Sequence, residues 1–69
     1  MRLEVVVEQE VDGRWIAEVP ELPGVMANGA TQESAVRAVQ ALALRAVADR
    51  LEHGEPVPAA ILDAFNAVV

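Results

Sequence analysis

Residues 12–24 read Asp-Gly-Arg-Trp-Ile-Ala-Glu-Val-Pro-Glu-Leu-Pro-Gly, and this stretch decides the fold. Asp12-Gly13 predicts the turn of a β-hairpin, because glycine takes positive φ without steric cost. Residues 14–19 then form the return strand. Its side chains alternate, with Trp15, Ala17 and Val19 on one face and Arg14, Ile16 and Glu18 on the other. Pro20 and Pro23 each remove a backbone donor and push the preceding residue towards extended geometry, so the strand ends there. Pro23-Gly24 fits the centre of a type II turn.

Working outward, residues 2–9 alternate Leu3, Val5 and Val7 with Glu4, Val6 and Glu8, the pattern of a half-buried strand. On the other side, Val25 to Asn28 predicts a short third strand closed by Gly29. The sum is a three-stranded antiparallel meander. Thr31 is a good helix N-cap, and Glu33 in the first turn favours the helix dipole. The helix is predicted from Gln32 to about Glu52, stopped by Gly54 and kept from restarting by Pro56. At about 100° per residue, Val36, Leu44, Val47 and Leu51 share one sector, and Ala35, Val39, Leu42, Ala43 and Ala46 widen it. The apolar arc spans roughly 200°, against the ~100° needed to cover one sheet. The excess predicts a second chain on the helix, through Val39, Leu42 and Ala46. Ser34, Arg45, Asp49 and Glu52 mark the wet side. In residues 59–69, Ile61, Leu62, Phe65, Val68 and Val69 fit helical spacing, yet Phe65–Val69 fits a strand equally, and periodicity does not decide.

The chain has 69 residues, so residues 1–69 are read as one domain. A chain this short buries only about 60% of its unfolded surface and usually needs a staple or an oligomer. It has no cysteine and a single histidine, His53, which excludes disulfides and thiolate sites and leaves no zinc set. Self-association is the remaining device, so at least a homodimer is expected. The hydrophobic fraction of 54% is too high for disorder. Net charge is −6, with no lysine. Residues 1–33 hold seven acids and two arginines, and residues 34–69 hold four acids and three arginines. An acidic half repels phosphate, which argues against direct nucleic-acid binding, and it suits a basic protein partner. Arg2 and Glu4 precede a short apolar stretch with no cleavage pattern, so no signal peptide is expected. No run approaches the ~20 apolar residues of a membrane span. The reading is cytoplasmic, with no membrane contact.

The run D-G-x-aromatic-x-A-x-x-P-E-L-P-G over residues 12–24 resembles the signature of the HicB-like antitoxin family. The likeness continues through Gly29 and Thr31 into the helix, and through Leu51-Glu52-His53-Gly54-Glu55-Pro56-Val57-Pro58. It covers about residues 2–58. It implies an α+β, partial RNase H-like fold: a three-stranded antiparallel meander, one long helix, then a short fourth strand near residues 62–69 (β-β-β-α-β). It further implies a toxin–antitoxin role, in which the chain binds a HicA-type toxin and masks its active site or RNA surface. Such a toxin is a small basic RNA-cleaving protein of double-stranded-RNA-binding fold. Many family members add a C-terminal DNA-binding domain. Eleven residues follow Pro58 here, too few for one, so this chain resembles the short form and operator binding is not expected of it. The rival reading is an orphan homo-oligomeric structural or interaction domain with no toxin partner.

The expected partner surface is acidic, formed by Glu4, Glu8, Glu18 and Glu21. Trp15 and Leu22 are added as apolar contacts. Trp15 is read either as core under the helix or as an interface anchor, and the Pro20–Gly24 turn either as structure or as a rigid protrusion touching a partner. An RNase H-like fold raises the question of a two-metal nuclease, which needs clustered carboxylates about 4 Å apart. Glu4 and Glu8 share a strand face at ~13 Å with Val6 between them. Glu18 could meet either one, depending on register. No catalytic residue, metal site or cofactor is therefore assigned. His53 is placed at the helix C-terminus, where a charged imidazole would favour the dipole.

Overall fold

A computed structural model describes residues 2–69. The hairpin forms where Asp12-Gly13 predicts it. Gly13 N–H donates to the Glu10 carbonyl at 2.9 Å, and Glu10 N–H donates to the Arg14 carbonyl at 2.7 Å. Gly13 itself takes φ +90°, the left-handed step that ends a three-residue hairpin loop. The Asp12 carboxylate accepts from Arg14 N–H at 3.1 Å and holds the turn from its side chain. The loop joins β1 (Val6–Gln9) to β2 (Trp15–Glu18). The pairing is antiparallel, with Val6 opposite Glu18, Val7 opposite Ala17, Glu8 opposite Ile16 and Gln9 opposite Trp15.

Two turns in succession follow β2. Leu22 N–H donates to the Val19 carbonyl at 2.9 Å, and Val25 N–H donates to the Leu22 carbonyl at 2.9 Å. Gly24 takes φ +87°, as the third position of a type II turn requires. Val19 N–H closes the loop onto the Val25 carbonyl at 3.1 Å. The double turn inverts the chain at Leu22 and drives its side chain inward, where no part of it meets water. The chain then enters β3 (Met26–Gly29), antiparallel to β2, with Trp15 opposite Gly29 and Glu18 opposite Met26. The sheet order is β1-β2-β3, leaving β1 and β3 as free edges.

Helix α1 (Gln32–Glu52) has the bounds its caps predict. Thr31 Oγ1 accepts from Ser34 N–H, and Ser34 Oγ accepts from Thr31 N–H, both at 3.1 Å, a reciprocal capping box. His53 closes the other end, its N–H and its Nδ1 both donating to the Asp49 carbonyl, at 3.1 and 2.7 Å. The helix buries Ala35, Val39, Ala43 and Val47, one row at i, i+4 spacing, against Ala17, Val19, Leu22 and Val25. These small side chains let the helix approach the sheet closely. A Cβ on Gly29 would lie 2.5 Å from the Ala35 nitrogen and run into Ser34 Oγ. The architecture is α+β, a three-stranded antiparallel meander with one long helix across one face. The helix lies over β3 and β2 and reaches β1 least.

The fourth strand expected near residues 62–69 is not formed. Instead the tail makes a single helical turn, α2 (Ala59–Leu62), begun at Pro58 with φ −57°. The turn bonds run on locally. Asp63 N–H donates to the Ala59 carbonyl, Ala64 to Ile61 and Phe65 to Leu62, at 2.9 to 3.1 Å. Backbone groups engaged with neighbours three or four residues back are not free to pair a ladder.

Candidate functional site: the outer face of the sheet

The strand alternation sends every second side chain away from the helix. On β1 these are Val6 and Glu8, on β2 Ile16 and Glu18, on β3 Met26 and Asn28. Glu4 continues the pattern upstream, between Leu3 and Val5, which pack against the core. No other described residue covers this face. Val6 is 43% and Met26 46% exposed, Glu4 and Glu8 are exposed, and Ile16 and Glu18 are half-buried. Val6, Glu8, Ile16, Glu18 and Met26 line a shallow depression.

The register sets the chemistry of this face. Glu18 is flanked by Val6 and Met26, and Glu8 stands opposite Ile16. Carboxylates and apolar side chains therefore alternate in two directions, giving an apolar strip through Val6, Ile16 and Met26 with glutamates beside it. Among the described residues no three His, Asp or Glu side chains are grouped as a metal ion would require. The single salt-bridge contact among them, His53 Nδ1 with Asp49 Oδ1 at 3.3 Å, is an ion pair only when the imidazole is protonated. Glu4, Glu8 and Glu18 thus have no cationic partner among those residues. At the hairpin end, Asn28 Nδ2 donates to Glu10 Oε1 at 2.8 Å, a bond linking β3 to the end of β1 past β2. It fixes one border of the face, and strand patterning alone does not reveal it. The apolar strip was legible in the sequence only as Val6 and Ile16 occupying the faces of Glu8 and Glu18.

The other expected partner residues lie elsewhere. Glu21 sits in the turn after β2, beside Arg50 and the Pro56–Ala60 segment, not on the outer face. Trp15 is half-buried on the helix side, packed against the core. Leu22 and Val39 have no exposed surface, so neither can serve as a contact without opening the core. Leu22 is core because the double turn points it inward. Val39 is core because its position on α1 falls over the middle of the buried row. Leu42 and Ala46 are half-buried and also pack against the core. The exposed apolar surface of α1 is carried by Leu44, 72% exposed, and Leu51, 47% exposed.

His53 is exposed at the end of α1, as placed from the sequence. No helix among the described residues is long and apolar enough to cross a membrane. The chain matches no protein-family model, no curated protein and no solved structure.

Proposed function

We propose that this chain is an antitoxin-like binding module of the HicB-like type, acting in the cytoplasm by masking a small basic HicA-type toxin. The meander-then-helix order fits the partial RNase H-like fold that the residue 12–24 signature implies. The observation that carries the reading is the outer sheet face: an uncovered apolar strip with Glu4, Glu8 and Glu18 beside it and, among the described residues, no cation paired with them. Apolar surface at the centre with charge around it is the anatomy of a protein-binding patch. Its sign suits a toxin whose RNA surface must be basic. Masking needs no chemistry from the antitoxin. It needs carboxylates that occupy the cations otherwise meeting phosphate, and apolar contact that slows release.

The test is co-expression with the product of a neighbouring reading frame that encodes a small basic protein. Co-purification and loss of RNA cleavage are expected, and Val6→Asp with Met26→Asp should abolish both while the fold persists. A neighbour that neither binds nor is inhibited would remove the reading.

A second reading, an orphan homo-oligomeric module, is favoured by a separate observation: exposed Leu44, Leu51 and Phe65 line a common apolar depression away from the outer face.

A further inference from the structure

We propose that Asn28-Gly29 is a site of spontaneous deamidation, gated by the end of β3, and that its products sever the link between Asn28 and Glu10. The inference is independent of the masking role.

The chain has two asparagines, Asn28 and Asn66, and glycine follows only the first. A glycine nitrogen has no neighbouring side chain to hinder its approach, and glycine backbone turns freely. Asn-Gly therefore closes a ring through the carboxamide more readily than Asn66-Ala67. Glycine is required at position 29, because an added Cβ would lie 2.5 Å from the Ala35 nitrogen. Asn28 is exposed, and β3 is an edge strand. The fold thus fixes the attacking residue and leaves the carboxamide in water.

The folded chain restrains both reacting groups. Val19 N–H donates to the Val25 carbonyl, and the hydrogen-bonded pairs of an antiparallel ladder recur at every second residue. In this register Ala17 with Ala27 and Trp15 with Gly29 are the next such pairs, so Gly29 N–H is directed at the Trp15 carbonyl. This is the last rung of β3, and element ends open at the lowest cost. The carboxamide is held by Asn28 Nδ2 donating to Glu10 Oε1 at 2.8 Å, on exposed surface. Reaction requires the rung to open and the carboxamide to be released.

The Gly29 nitrogen then gives its proton to solvent base and attacks Asn28 Cγ. The Cγ–Nδ2 bond breaks, ammonia leaves with its extra proton taken from water, and a cyclic succinimide remains. Water opens the ring at either carbonyl, leaving aspartate or isoaspartate. Both products set a carboxylate where a donor faced Glu10, so attraction becomes repulsion. Isoaspartate also adds a backbone carbon just before Gly29, where the chain packs closely on Ala35. The end of β3 then cannot re-form as it was, and the change runs one way.

Incubation of the folded full chain at mildly alkaline pH, read by peptide mapping with mass spectrometry, tests this. Asn28 should convert before Asn66, and faster in urea than in the folded chain, with isoaspartate among the products. Asp12-Gly13 closes the same ring with loss of water instead of ammonia, and the map reads it separately. Glu10→Ala releases the carboxamide and should speed conversion at Asn28 roughly two- to tenfold, the factor of one net hydrogen bond. Glu10→Gln keeps an accepting oxygen and should react at the parent's rate, with circular dichroism showing that both variants fold. If a variant misfolds, hydrogen exchange of the parent's Gly29 amide serves instead: low urea concentrations that speed this exchange should speed conversion in parallel. Asn28 outlasting Asn66, conversion as fast in the folded chain as in urea, a folded Glu10→Ala that reacts at the parent's rate, or conversion that does not follow Gly29 exchange would each overturn it.

Discussion

Glu18 stands directly opposite Val6 across the β1–β2 ladder. This one pairing spaces the carboxylates of the outer face. Glu8 becomes a diagonal neighbour of Glu18, at the ~7–8 Å typical of such pairs. A one-residue slip would have exchanged the faces of the strand, burying the glutamates and exposing the core valines. The register is held because Ala17 and Val19 are core residues on the opposite face.

Gly29→Ala should destabilise the protein by about 1–3 kcal/mol, the cost of overpacking a close contact. The atom it would meet at 2.5 Å is the backbone nitrogen of Ala35, in the first turn of α1, which cannot move aside as a flexible side chain can. Urea unfolding followed by circular dichroism measures this. Gly13→Ala, where an added Cβ meets nothing within 4 Å, gives the comparison, since its cost arises only from φ +90°.

Leu22→Ala should cost about 2–5 kcal/mol, the usual range for a fully buried leucine. In a domain this small that approaches the whole stability. Thermal unfolding would show a lost or strongly lowered transition. A variant as stable as the parent would mean that the double turn does not seat Leu22 in the core.

Thr31→Ala should cost about 1 kcal/mol by removing the oxygen that accepts from Ser34 N–H. Thr31→Ser should recover most of it. Helix content and the urea midpoint are the readouts.

Much of this fold was legible in residues 12–31. Asp12-Gly13, Pro23-Gly24 and Thr31 each act through their own backbone or the next turn, so local chemistry was enough. Leu22 was not legible. A proline-rich turn reads as an exposed protrusion, and only two turns in succession aim its middle side chain inward. Glu21 was expected on the acidic face but lies near Arg50, because the packing of the Pro56–Ala60 segment is a tertiary matter. On α1 the arc was too wide to say which part the sheet would cover. The sheet took the Ala35–Val47 row, which buried Val39 and left Leu44 exposed. The tail fitted helix and strand alike; turn bonds engage it only as far as Phe65, and neither a longer helix nor a strand forms.

Duplex DNA and RNA should not be retained near physiological salt. The net charge of −6 repels a polyanion, and part of it lies in the carboxylates of the open sheet face. A mobility shift at low micromolar protein would contradict the assignment of that face to a protein partner.

The central claim is that the outer face, through Glu8 and Glu18, meets a basic toxin. Association rates with a candidate basic toxin from a neighbouring reading frame, measured for the parent, for Glu8→Lys with Glu18→Lys, and for Glu21→Lys, test it most directly. Charge changes at such sites usually alter stability by less than about 0.5 kcal/mol, so all three should fold. The parent's rate should fall steeply as salt rises, the double variant should associate slowly at every salt concentration, and Glu21→Lys, away from the face, should follow the parent. A folded double variant that associates as fast as the parent would contradict the claim.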